Sequence, residues 1–199
     1  MKTGILGGTF DPVHLGHTGV AEAAAKELGL DRVMMMPVHI QPFKQDRRTA
    51  SAEDRVAMLA LAVARCDKLE VSTYEIENQV VSYTYDTIRA LSERHPEDEI
   101  CFIMGSDSLM SIDTWYKGAE LLGLCSFAVG LRPGDDRAAV EAKAALLRER
   151  YSAEITLLQE MMLPVSSTQI RELVERGEPI YGLVAPEVEV YIDEHDLYL

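Results

Sequence analysis

Short apolar runs alternate with longer amphipathic ones along almost the whole chain, and no other feature constrains its fold so strongly. Parallel strands buried on both faces read as continuous apolar runs, and each needs a long crossover, usually a helix, before its neighbour. Residues 3–6 form a first run ending in Gly7-Gly8, and residues 15–28 an Ala-rich helix closed by Gly29. Residues 32–37 (RVMMMP) read as a second strand. Ser51 is a helix N-cap with acids behind it, followed by Met58, Leu59, Ala62 and Val63 on one face. Strands are then expected at 69–73, 99–104, 126–130 and 154–158, and helices at 85–93, 137–150, 167–176 and 186–195. The pattern predicts an α/β fold: one domain over 1–199, a doubly wound parallel sheet with helices on both faces, and a small carboxyl-terminal helical part from about 166 to 199. A mixed α+β domain would group its strands and helices in blocks, which this order does not do.

Composition bounds the function. Apolar residues make up 47% of the 199 and charged residues 26%, enough for a sizeable core and too apolar for disorder. Against 33 Asp and Glu stand 19 Lys and Arg, a net charge of −14. Nucleic-acid affinity rests on counterion release by clustered cations, so no nucleic-acid partner is expected. A small phosphorylated ligand remains compatible, because a helix N-terminus or a local basic pocket can hold it against the global charge. No run of 18 apolar residues is present, and the first residues lack a secretion signal's apolar stretch, so neither membrane association nor export is expected. Cys66, Cys101 and Cys125 form neither a CxxC pair nor a disulfide framework, and they read as three buried thiols in a reducing cytoplasm.

The densest signal is Gly7-Gly8-Thr9-Phe10-Asp11-Pro12-Val13-His14-Leu15-Gly16-His17, which follows the first strand and opens a helix. Glycines let a backbone approach a ligand closely, and a helix N-terminus supplies unpaired N–H groups with positive potential. The segment is neither a Walker A loop nor a GxGxxG fingerprint. His14 and His17, three apart on the first turn, share a face, where two imidazoles can donate to phosphate oxygens and stabilise charge that builds up in transfer. Two other roles are open to them, as metal ligands, though no third ligand lies nearby, or as caps of the helix backbone.

These residues resemble the nucleotidyltransferase superfamily, whose mark is a (His/Thr)-x-Gly-His turn after the first strand. Its second mark, hydroxyl residues ending in Arg at the start of a late helix, is matched by Val165-Ser166-Ser167-Thr168-Gln169-Ile170-Arg171. Alone, Ser-Ser-Thr before an apolar helix is an ordinary cap; paired with the first motif, it offers hydroxyls, N–H groups and one fixed cation to a triphosphate. Within the superfamily, residues 7–17 are similar to the form found in bacterial nicotinate mononucleotide adenylyltransferases. Ser82-Tyr83-Thr84, Gly105-Ser106-Asp107 and Trp115-Tyr116 look like that family's segments too, and the likeness runs from Gly4 to Tyr198. One departure is Gln41-Pro42-Phe43-Lys44, where the family often has Pro-Pro-His-Lys: Phe43 cannot donate where His could. Arg47 and Arg48 read as solvated loop cations.

The resemblance implies a Rossmann-like sheet and the reaction of nicotinate mononucleotide with ATP to give deamido-NAD and pyrophosphate. It implies His14, His17 and Arg171 as catalytic. It places Gly7, Gly8, Thr9, Phe10, His17, Gly105, Asp107, Arg132, Ser167, Thr168 and Arg171 on ATP, with Asp107 toward ribose hydroxyls. It places His14, Lys44, Thr84, Trp115 and Tyr116 on the mononucleotide, with the Trp115 ring stacked on the pyridine. Mg²⁺ would arrive carried by ATP, with no metal site supplied by the protein. Other acceptors, phosphopantetheine or the nicotinamide mononucleotide, are the alternatives within the class. A nucleotide-binding regulator without turnover would not need His14, His17 and Arg171 together. A fragment of an aminoacyl-tRNA synthetase would carry a Lys-Met-Ser-Lys-Ser loop and a basic surface, and this chain has neither. Oligomeric state, a homo-oligomer included, is left open by the sequence.

Overall fold

The computed structural model describes residues 1–39, 49–78 and 83–199. Six strands, β1 (Lys2–Gly8), β2 (Arg32–Pro37), β3 (Leu69–Val71), β4 (Glu99–Gly105), β5 (Ser126–Gly130) and β6 (Ile155–Leu157), form one sheet in the order β3-β2-β1-β4-β5-β6. Every pairing is parallel. The chain steps outward from β1 to β3, then returns to lay β4 on the other side of β1. That reversal makes a crevice outside the carboxyl ends of β1 and β4, where open α/β sheets bind their ligands.

Alternate side chains of each strand feed opposite cores. Leu6, Met35, Cys101, Ile103 and Ala128 pack with helices α1 (Leu15–Glu27), α2 (Ala52–Val63), α8 (Ser167–Glu175) and α9 (Pro186–Glu194). Ile5, Met36, Phe102, Met104, Phe127 and Val129 pack with α4 (Thr84–Arg94), α5 (Ser106–Ser111), α6 (Gly118–Leu122) and α7 (Arg137–Tyr151). The sheet is therefore doubly wound, as the alternation predicts. Local chemistry sets the helix ends. Ser51 Oγ accepts from the Asp54 amide at 3.0 Å to cap α2, whose Met58 and Leu59 are fully buried. Each such burial contributes about 1.5–3 kcal/mol.

Three short helices were not expected: α3 (Tyr74–Asn78), α5 and α6. Five or six residues are too few to display a helical period. Helix α3 also explains why β3 stops at Val71 rather than 73: the chain turns into it, and only the Ser72 amide still reaches across, to the Met35 carbonyl at 3.0 Å. The cysteines need a correction. All three are free, but only Cys101 is buried; Cys66, in the turn after α2, and Cys125, just before β5, are half-buried because both sit outside the regular elements. Burial still pushes the Cys125 thiol up to about 12. Lys44, with Gln41, Pro42, Phe43, Arg47 and Arg48, and likewise Val81 and Ser82, lie outside the described residues. No helix among the described residues is long and apolar enough to cross a membrane.

Candidate active site

A cavity of about 310 Å³ opens at the crevice. Gly7, Gly8, Thr9 and His17 line it from the β1–α1 side, Gly105 and Asp107 from β4 and α5, Arg132 from the turn after β5, and Thr84 and Trp115 from the far wall. Small-molecule sites are usually of this size and larger, about 300–1,000 Å³.

The histidine pair is set by Gly16. A Cβ there would lie 3.0 Å from His14 Nδ1 and 3.1 Å from Val165, a tight fit, so glycine gives the His14 ring room to fold back on the helix. The two imidazoles stack with centroids 3.6 Å apart and planes 21° from parallel, and the edge of Phe10 meets His17 at 4.9 Å. The His14 amide donates to His17 Nδ1 at 3.3 Å. Burial, then the Arg132 guanidinium, holds His14 down to about 4. His17 is held well below its ordinary value by burial first, then by His14 and Arg132. Both rings are therefore neutral at neutral pH. A neutral ring whose Nδ1 accepts must carry its proton on Nε2. His17 thus caps the backbone with one nitrogen and keeps an N–H donor on the other. Among the described residues no three His, Cys, Asp or Glu side chains gather as a metal-ligating group.

The late helix docks on the same turn. Ser166 Oγ accepts from the Gln169 amide at 3.2 Å, an ordinary cap, while Ser167 Oγ donates to the Pro12 carbonyl at 2.9 Å. Arg171 donates to the Asp11 carbonyl at 2.6 Å and to Thr168 Oγ1 at 3.3 Å. The N-termini of α1 and α8 are thereby brought together. Neither carries an acid in its first turn, whereas α2, α4 and α9 all do. In a chain with 33 acids, the first turns of these two helices thus carry no carboxylate of their own beside the turn.

Beneath the turn lies a polar network that the sequence reading did not single out. Arg55, 1% exposed, donates to the carbonyls of Thr9 at 2.8 Å and Val38 at 3.0 Å. Asp11 Oδ1 accepts from the Ala50 amide at 3.0 Å and from the Tyr198 hydroxyl at 2.8 Å. Arg55 left a signal: with Met58, Leu59 and Val63 it shares the spacing of the buried face of α2, where an unpaired cation has no place.

The expected site residues are not all at the cavity wall. Phe10 is 1% exposed with φ +51°, its ring packed under Gly8, so only its main chain is available to a ligand. His14 is buried behind His17, and Ser167, Thr168 and Arg171 stand beside the turn rather than in the cavity lining. Tyr116 also lies off that lining. It packs on Tyr83 with centroids 4.4 Å apart, around a second hollow that includes Thr84 and Trp115.

On the far walls, a Cβ at Gly105 would sit 2.5 Å from Asp107 Oδ1, so glycine there lets the carboxylate fold over the strand end. Asp135 Oδ2 accepts from Ser106 Oγ at 2.5 Å and from the Arg132 amide at 2.7 Å, which pins the Arg132 turn. Those bonds, Ser106 foremost, hold the Asp135 carboxyl below its usual range. Thr84 opens α4, whose first amides have no acceptor within the helix. Buried Glu75, a cavity-lining residue missed in the sequence, accepts from Thr87 Oγ1 at 2.7 Å and ties α3 to α4. Trp115 is half-buried, its Nε1 donating to Ser111 Oγ at 3.3 Å and its ring meeting Phe102 edge to face at 6.5 Å. The Trp115 amide donates to the Ile112 carbonyl at 3.1 Å, so a main-chain donor for a ligand carboxylate must come from a neighbour.

Residues 5–173 match the cytidylyltransferase-like family. A Symbiobacterium thermophilum protein named "Probable nicotinate-nucleotide adenylyltransferase" is 39% identical over 198 residues, covering 100% of this chain and 95% of its own length. A Thermoanaerobacter protein of the same name is 38% identical over 199 residues, covering 100% and 94%. Among solved structures, Plasmodium falciparum nicotinic acid mononucleotide adenylyltransferase complexed with NaAD superposes with a TM-score of 0.80 at 20% identity, over 100% of this chain and 98% of that one. At that identity the likeness is one of fold.

Proposed function

The chain belongs to the cytidylyltransferase-like family and, within it, to the nicotinate-nucleotide adenylyltransferases, and from that membership we propose that it transfers the adenylyl group of ATP to nicotinate mononucleotide, giving deamido-NAD and pyrophosphate. The full-length match to relatives so named carries this reading, and the histidine pair at the carboxyl end of β1 supports it.

The nucleophile is a phosphate oxygen of the mononucleotide, already ionised at neutral pH, so no general base is required. That oxygen attacks the α-phosphorus of ATP as the bond to the bridging oxygen breaks, and pyrophosphate leaves with the electron pair. The protein's task is to align two polyanions and to stabilise charge at the transferring group. His17 Nε2–H serves the α-phosphoryl, with His14 stacked behind it. Arg171, Ser167 and Thr168 serve the departing phosphates, and Gly7, Gly8, Thr9 and the Phe10 main chain let the nucleotide lie close to the turn. Asp107 takes ribose hydroxyls, and Gly105 and Arg132 complete the ATP side. Thr84, Trp115 and Tyr116 take the pyridine and its carboxylate, and Lys44 serves the acceptor phosphate. Mg²⁺ would come with the triphosphate rather than from a protein site, and when bound would supply further charge neutralisation there. Cations and N–H donors dominate the phosphate side, a donor set suited to a metal that arrives with its substrate. Three free thiols support a reducing compartment, and we assign the protein to the cytoplasm.

The test is pyrophosphate release with ATP and each of three acceptors: nicotinate mononucleotide, its amide and phosphopantetheine. Fast release with the nicotinate acceptor alone is the expected result. Fast release with phosphopantetheine would replace the acceptor assignment, and none with any of the three would remove the activity.

A further inference from the structure

Arg171 is held by one residue in two ways. Its Nη1 donates to the Asp11 carbonyl at 2.6 Å and lies 3.9 Å from Asp11 Oδ2. The second distance is too long for a charge-assisted hydrogen bond, which runs about 2.7–2.9 Å. The Asp11 carboxylate therefore stands near the guanidinium without clamping it. Its other oxygen is occupied by the Tyr198 hydroxyl at 2.8 Å and the Ala50 amide at 3.0 Å, and the Tyr198 bond is buried. These two donors turn the carboxylate away from Arg171.

Tyr198 itself is held under strain. It is 7% exposed with φ +68°, and Asp196, two residues earlier, has φ +50°. Left-handed backbone at non-glycine residues persists only where the surroundings over-determine it. Here the phenol contact and the Leu197 amide, which donates to the Ile192 carbonyl at 3.1 Å, do so. Burial first, then Asp11, pushes the phenol far up, so the hydroxyl keeps its proton and remains a donor.

We propose that Tyr198 is a positioning residue for ATP: by restraining the Asp11 carboxylate it keeps that carboxylate from closing on Arg171 and so leaves guanidinium donors available to the departing phosphates. The inference rests on the reading of Arg171 as the triphosphate's cation. In Tyr198→Phe the ring still fills its place, but the Ala50 amide is then the one remaining donor of the two, and the less restrained carboxylate can turn toward Arg171 and compete with ATP for it. Contacts of this kind typically shift coupling between sites by about two- to thirtyfold.

The experiment is steady-state kinetics on the full chain, varying ATP and nicotinate mononucleotide separately, for wild type, Tyr198→Phe, Arg171→Ala and the double variant. The expected result is an ATP KM raised about two- to thirtyfold in Tyr198→Phe, with the mononucleotide KM within about twofold. In the Arg171→Ala background the Tyr198→Phe effect should vanish, because its target is gone. A merely structural tyrosine would move both KM values together, or would act equally with and without Arg171, and either result overturns the proposal. If Arg171→Ala leaves the ATP KM unchanged, the triphosphate reading itself fails, which is distinguishable from a normal Arg171 effect with a silent Tyr198→Phe. Should Tyr198→Phe not fold, Asp11→Asn removes the competing charge. The proposal then expects an ATP KM unchanged or lowered with the mononucleotide KM steady, and an equal rise in both contradicts it.

Discussion

Around His17 almost every nearby polar group is tied to the backbone of the turn: His17 Nδ1 to the His14 amide, Ser167 to Pro12, Arg171 to Asp11 and Arg55 to Thr9. Around Trp115 the picture differs. Tyr83 and Tyr116 are 44% and 46% exposed and packed on each other, and Trp115 has a single side-chain hydrogen bond, to Ser111 Oγ. One side is over-determined and the other loosely furnished with flat apolar faces. A group that stabilises transition-state charge gains from being fixed beforehand, since no reorganisation is then needed at the moment of reaction. A surface that stacks on a ring needs only area and the right sign of quadrupole. On the proposed function, the first side serves the chemistry and the second holds the acceptor's ring.

The sharpest way to break that division is His17→Ala. Its kcat should fall about 100- to 1,000-fold with the fold intact, the usual cost of one transition-state donor. A folded variant within about threefold of wild type would contradict the role. Next in size is a pH effect on the ligand-free protein. His14 is held down to about 4 in the folded state against an ordinary 6.5, so between those values the unfolded chain binds the extra proton. Stability should therefore be highest above about pH 6.5 and fall as pH drops toward 4, by up to about 1.4 kcal/mol per pH unit for this group. Urea unfolding at pH 7 and pH 4.5 checks it, and His14→Gln should narrow the gap between the two. Arg171→Lys keeps the charge but loses the planar fork, so the ATP KM should rise by about tenfold and the mononucleotide KM by clearly less. The smallest effect belongs to the aromatic side. Trp115→Ala should weaken the acid and amide acceptors alike, by a stacking contribution of about 0.5–1 kcal/mol, leaving their ratio nearly unchanged. A kcat loss there as large as that of His17→Ala would erase the distinction.

The same contrast governs what could be read from the sequence. Strands β2 and β5 fall where their apolar runs stand, and the His14–His17 turn stands out because its glycines and histidines are contiguous in sequence between a strand and a helix. Residues that act over long separations were harder to see. Asp11 and Tyr198 are 187 positions apart, and nothing local to a tyrosine after a helix says that its hydroxyl reaches the turn. Glu75 sits in a five-residue helix too short to show a period, and its partner Thr87 lies on another helix. Phe10 and His14 belong to the turn that the sequence singles out, but sequence spacing carries no information on which of its side chains the fold buries.

The central claim is that this chain delivers adenylyl groups to the acid mononucleotide, and the most direct measurement is kcat/KM of the wild-type protein for the acid against the amide. A carboxylate can accept from every donor around Thr84 and the first amides of α4, whereas an amide NH₂ turns its own hydrogens toward them. Two mispaired donors at about 1–3 kcal/mol each predict a preference for the acid on the order of 10²- to 10⁴-fold. Thr84→Val should erode that preference. Comparable values for the two acceptors in the wild-type protein would contradict the account.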